Sequence, residues 1–96
     1  MMEVRKGKNK FYIGYEEKEP LAEIVLDDFN KDSMTIEHTY VSEKLKGQGA
    51  GKRLVKSVVD FATEENKKVI PVCEFAKKEF SKNKEYESVL DASTTI

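Results

Sequence analysis

The chain has 96 residues, 17 of them Lys or Arg and 18 Asp or Glu, for a formal net charge of −1. That length predicts one domain over residues 1–96 with a modest core, and the charge balance argues against nucleic acid as a partner, since that grip needs dense cations opposite phosphates. One cysteine leaves no internal disulfide framework; no apolar run approaches the length of a membrane span and no signal-peptide core stands at the start, so the expected protein is a cytoplasmic monomer.

Val4 opens a short strand that turns at Lys6-Gly7-Lys8-Asn9. Lys10 to Tyr15, rich in aromatic and β-branched residues, is a second strand, and Glu16 to Pro20 is a polar connection. Leu21 to Asp28 is a third strand with burial on both faces, ending in the turn Phe29–Ser33. Met34 to Val41 alternates with period two, which predicts Met34, Ile36, His38 and Tyr40 on one face and Thr35, Glu37, Thr39 and Val41 on the other. The first half therefore reads as an antiparallel meander.

Lys46-Gly47-Gln48-Gly49-Ala50-Gly51-Lys52 follows. Glycines at alternate positions allow a tight turn and close ligand approach. The helix start behind them offers amide N–H groups without intrahelical partners and the positive end of the dipole, which together make an anion site. Leu54, Val55, Val58, Val59 and Ala62 then recur at helical spacing, which predicts a helix over 49–66. Lys68 to Cys73 is a strand whose Pro71 cannot donate to a ladder, so it lies at a sheet edge or loses pairing near that point. Short helices over 74–80 and 84–90 complete the chain, with frayed ends at Met1-Met2 and 92–96. A right-handed crossover makes the strands at 34–41 and 68–73 parallel. The fold class is α+β, a mixed but mostly antiparallel sheet with one strand–helix–strand unit.

His38, the lone histidine, has two open readings. One is a proton acceptor near neutral pH; the other is a strand residue that only packs and hydrogen-bonds. Glu37 adjoins it, but regular alternation sends the two side chains to opposite faces unless a bulge intervenes. Cys73 ends a strand just before a helix. Helix-start amides favour a reactive thiolate, whereas the alternative is a small buried hydrophobe. Tyr86 sits in a polar segment and suits either a hydrogen bond to a ligand or packing, and Phe75 and Phe80 read as core. No lysine-serine pair of the Walker type follows the glycines, which ranks a nucleotide-triphosphate site last.

On these residues the chain resembles the GNAT superfamily of acyl-CoA N-acetyltransferases. That family's signature is Arg or Gln, two residues, Gly, one residue, then Gly or Ala; Lys46 to Gly51 follows it with Lys in the first place. The Ile36–Val41 strand before it and Val69-Ile70-Pro71-Val72-Cys73 with Tyr86 after it are similar to a small GNAT-like subfamily with a cysteine near the acetyl group. The resemblance implies acetyl-CoA as cofactor and an amine as acceptor. CoA would be held by Val41, Lys46, Gly47, Gln48, Gly49, Ala50, Gly51, Lys52 and Tyr86, with the amides of Gln48, Gly49, Gly51 and Lys52 on the pyrophosphate. His38, Cys73 and Glu37 would serve the chemistry, without a metal. Larger members carry helices between their first two strands where this chain has a turn, so a module that binds acetyl-CoA without amine turnover is the alternative.

Overall fold

In a computed structural model, which describes residues 3–92, five strands form one sheet in the order β1-β2-β3-β4-β5. They are β1 (Val4–Gly7), β2 (Lys10–Ile13), β3 (Ala22–Asn30), β4 (Ser33–Val41) and β5 (Lys68–Pro71). The first four are antiparallel and β5 pairs with β4 in parallel, so the expected mixed sheet is observed, with Pro71 on an edge strand. The terminal fraying expected at residues 1, 2 and 93–96 lies outside the described residues.

Helix α1 (Ala50–Glu65) makes the crossover, and Leu54, Val55, Val58, Val59 and Ala62, its periodic apolar residues, are all buried. They pack on one sheet face with Phe11, Ile13, Ala22, Ile24, Met34 and Ile36. The helix stops at Asn66, whose left-handed φ of 57° lets its N–H reach back to the last carbonyls. Helix α2 (Glu74–Lys82) and a 3-10 helix (Lys84–Val89) close that side, Phe80 meeting Tyr86 edge-on at 5.5 Å. Lys6, expected in the turn, lies in β1, exposed, with its ammonium 5.0 Å above the Phe61 ring. Among the described residues, no helix is long and apolar enough to cross a membrane.

The alternation expected along β4 breaks midway. Ile24 opposes Thr39 and Val25 opposes His38, yet Leu26 opposes Ile36, so β4 carries one extra residue, Glu37, in a β-bulge. Opposed residues share a face, so Thr39 and Val41 lie on the α1 side with Ile36. His38 and Tyr40 do not: they lie on the far face, exposed. Glu37 accepts a hydrogen bond from the Thr35 hydroxyl, which sets it on the far face as well. The bulge therefore brings Glu37 and His38 to one face, where a regular strand would separate them.

Candidate functional site

The bulge also decides where β4 and β5 part. Their ladder runs from Ser33–Lys68 to Ile36–Pro71. It ends with the Val72 and Cys73 amides both donating to the Ile36 carbonyl, at 2.9 and 3.2 Å. From Glu37 to Val41, β4 pairs with β3 only, and its other edge faces an opening between the strands. An open strand edge presents amide and carbonyl groups to whatever extended, amide-bearing molecule enters.

One end of the opening is the helix start. Gly47 and Gly49 adopt left-handed φ values of 79° and 77°, a conformation that penalises any Cβ, and the space where those Cβ atoms would lie is open. The first helical bond is Arg53 N–H to the Gly49 carbonyl, so among the described residues the amides of Gly49, Ala50, Gly51 and Lys52 are unspent. Gln48 differs from the expectation. Its amide donates to the Leu45 carbonyl and its side chain to the Lys44 carbonyl, so it closes the loop. Lys46 is tied to Glu43 at 2.8 Å on the exposed side of the loop. Lys52 is exposed and forms no ion pair among the described residues.

Gly51 has a different reason to be glycine. Its φ lies outside the left-handed region, but a Cβ there would stand 2.6 Å from the ring of Phe75. Phe75, expected in the core, is 37% exposed and lies over the first turn of α1. Val41, on the α1 side of β4, is half-buried against the core.

Cys73 marks the other end. It is half-buried as the N-cap of α2, its sulfur accepting the Ala76 N–H at 3.4 Å and meeting the Thr39 hydroxyl at 3.3 Å. Thr39 was not among the expected site residues; only the bulge turns it toward Cys73, and period-two reading gives no sign of that. Glu37 and His38 lie on the opposite face of the sheet from α1, beside the same opening. Tyr86 lies in the 3-10 helix that follows α2 and lines a cavity with Lys52, of the first turn of α1, and with Lys56 and Lys82. Burial is the largest influence on its phenol and raises the pKa above the ordinary 10.0, so the group is neutral near pH 7 and can donate.

Comparison with known proteins agrees with this geometry. A family model described as GCN5-related N-acetyl-transferase matches residues 10–89. The NMR solution structure of a GCN5-like candidate N-acetyltransferase from Staphylococcus aureus is 44% identical with a TM-score of 0.79, over 94% of this chain and 88% of that one. Two larger proteins share the fold, each matched over about half its length. A GNAT family acetyltransferase from Elizabethkingia anophelis with acetyl-CoA bound has a TM-score of 0.57 and 22% identity, over 80% of this chain and 51% of its own. An integron cassette protein from the mobile metagenome of Cole Harbour Salt Marsh has a TM-score of 0.56 and 13% identity, over 91% and 55%. No curated protein matches the chain. With its mixed sheet, its opened β4–β5 pair and a family match over most of its length, the chain belongs to the GCN5-related N-acetyltransferase family.

Proposed function

We propose that this chain binds acetyl-CoA in the opening between β4 and β5 and passes the acetyl group to an amine. The observation that carries the proposal is the opening itself, with an unsatisfied helix start at one end and Cys73 at the other. Acetyl-CoA supplies an acyl group activated as a thioester. The amides of Gly49, Ala50, Gly51 and Lys52 hold the pyrophosphate, and the charge of Lys52 adds to the dipole. The free edge of β4 from Glu37 to Val41 hydrogen-bonds the amide-bearing arm, and Val41 and Phe75 exclude water along it. Lys46 and Gln48 keep the loop in shape and act on the cofactor only through it.

The far face of the sheet is the acceptor's side. Glu37 and His38, brought together there by the bulge, accept the proton an ammonium must lose before nitrogen can attack. In the transfer a C–N bond forms, the C–S bond breaks, and the sulfur leaves as a thiolate that takes up a proton. Cys73 is close enough to the path to accept the acetyl group first, exchanging one thioester for another, with Thr39 orienting its sulfur. A second reading, a binding module without amine turnover, is favoured by one observation: Glu37, His38 and Tyr40 all stand exposed, and the cavities found among the described residues are lined by none of them.

The test is a titration with acetyl-CoA followed by intact-mass analysis, with and without a panel of small amines, polyamines and lysine-containing peptides. Binding with acetyl transfer to any of them supports the enzyme. Binding without transfer selects the module, and no binding at millimolar acetyl-CoA removes both.

A further inference from the structure

At the end of the sheet nearest the glycine loop, the chain leaves β2 through Gly14 and enters β3 after Leu21. Between this connection and the start of α1 lies a cavity of about 700 Å3, an ordinary size for a small-molecule site. Its apolar part is Ile13, which is 4% exposed, with Leu21 and Leu45, both half-buried. Its charged residues are Arg5, Arg53 and Glu3. Tyr15 also lines it, although it is 95% exposed.

The walls are held in place by the backbone. The Leu21 amide donates to the Ile13 carbonyl and the Ser42 amide to the Leu21 carbonyl, each at 2.7 Å. The Leu45 amide then donates to the Ser42 carbonyl at 2.9 Å, and the Gln48 amide to the Leu45 carbonyl at 3.2 Å. Gly14 has a φ of 137°, and a Cβ there would stand 3.1 Å from the Leu21 amide nitrogen, so the connection has little freedom to move. A cavity whose sides are joined in this way is formed before any ligand arrives, which lowers the cost of binding.

The charges narrow the ligand. Arg53 makes no ion pair among the described residues and its guanidinium no hydrogen bond. Arg5 has one partner, Glu3, at 4.0 Å, the outer limit of an ion pair. Two guanidinium groups against one carboxylate leave an excess of one positive charge, which suits a monoanion. A carboxylate matches the planar fork of a guanidinium. A free anion such as acetate would leave Ile13, Leu21 and Leu45 without a partner, so the carboxylate has to carry an apolar body. Tyr15 offers a ring face to that body and a hydroxyl with no hydrogen bond among the described residues.

We infer that this cavity binds a small carboxylate with an apolar chain or ring, its head on Arg53 with Arg5 as the second cation and its body on Ile13, Leu21 and Leu45 under Tyr15. Glu37, His38, Val41 and Cys73 do not line this cavity. The inference therefore goes beyond the acetyl-CoA reading and stands or falls apart from it.

The experiment is an NMR titration of the full, 15N-labelled chain without CoA, at near-physiological salt. The probes are octanoate, octanamide, which keeps the chain and loses the charge, and acetate, which keeps the charge and loses the chain. Octanoate is expected to move the amide signals of Gly14, Tyr15, Leu21 and Leu45 and to bind about tenfold more tightly than either control. Arg53→Gln is expected to lower the octanoate affinity to that of octanamide. Tyr15→Ala, a fully exposed substitution, is expected to weaken octanoate and octanamide alike. Octanamide equal to octanoate shows that the guanidinium groups are not read, and acetate equal to octanoate shows that the apolar part is not; either result overturns the inference. So do shifts confined to other parts of the chain, no shift at millimolar octanoate, or an octanoate affinity that neither substitution changes.

Discussion

The Thr39 hydroxyl and the Cys73 sulfur meet at 3.3 Å across the mouth where β4 and β5 have stopped sharing ladder bonds. One side chain reaches over from each strand, so this contact guards the point at which the sheet opens. Bound CoA is therefore expected to slow alkylation of Cys73 by a thiol reagent; equal rates with and without saturating CoA place the sulfur outside the site. Cys73→Ser keeps an acceptor for the Ala76 N–H and should leave the melting temperature nearly unchanged. Cys73→Ala loses the cap at about 0.5–1 kcal/mol, a fall of roughly 2–8 °C in a domain this small. Full amine acetylation by Cys73→Ser would leave direct transfer as the route.

Gly49 and Gly51 should fail in different ways when substituted. Gly49→Val forces a β-branched residue into a left-handed φ, costing on the order of 1–2 kcal/mol, and places methyl groups where anion oxygens would approach the helix start. CoA affinity falls sharply while the sheet still forms, and an unchanged dissociation constant would reject the pyrophosphate site. Gly51→Ala meets Phe75 instead, with an overpacking cost of about 1–3 kcal/mol. Phe75→Ala should relieve that cost. Thermal unfolding of the two single variants and the double variant measures the coupling, and strict additivity would deny the contact.

Tyr86 gives a pH dependence of known sign. Burial raises its pKa, Lys56 opposes the rise, and Glu85, Glu79 and Asp60 add to it. The folded chain therefore holds the phenolic proton more tightly than the unfolded chain does. The stability this contributes is fully present below about pH 10, the unfolded value, and is lost as pH rises through the raised folded value. Tyr86→Phe has no such proton to lose, so its melting temperature should decline less steeply above pH 10. Parallel declines in the two proteins would contradict the shift.

Asn66 ends α1 at a φ of 57°. Asn66→Gly removes the residual strain of a side chain in that conformation and leaves stability within about 0.5 kcal/mol of the parent, whereas a β-branched residue there costs about 1–2 kcal/mol. Denaturant midpoints for Asn66→Gly and Asn66→Val check the order, and a Val variant as stable as the parent would refute the left-handed cap.

The helix and the strand at its centre show what this sequence reveals about itself. The α1 spacing survives intact because α1 runs unbroken from Ala50 to Glu65, with no inserted residue: Leu54, Val55, Val58, Val59 and Ala62 are all inside. β4 is interrupted. A single bulge at Glu37 reverses the faces of every residue after it, and period-two reading cannot locate a bulge without knowing the partner strand. The glycine loop was legible because φ > 0 restricts residue choice at Gly47 and Gly49. Gly51 belongs to the same run but answers to Phe75, 24 residues later, a contact that exists only once α2 is docked. The cavity at Tyr86 likewise gathers residues from α1, α2 and the 3-10 helix, which no local pattern connects.

The far end of the chain closes what its middle begins. Val69 bridges to Leu90, the Asp91 amide donates to the Val69 carbonyl, and the Ser33 hydroxyl donates to the Asp91 carboxylate at 2.8 Å, a bond spanning 58 positions. The last strand to join the sheet is thus held from both sides, by β4 before it and by residues 90 and 91 after it. During synthesis the antiparallel strands can pair as they emerge, but the closed end of the β4–β5 ladder lacks its last partners until residue 91 has left the ribosome. A nascent chain arrested before that point would carry the glycine loop and α1 with that end of the ladder unclasped.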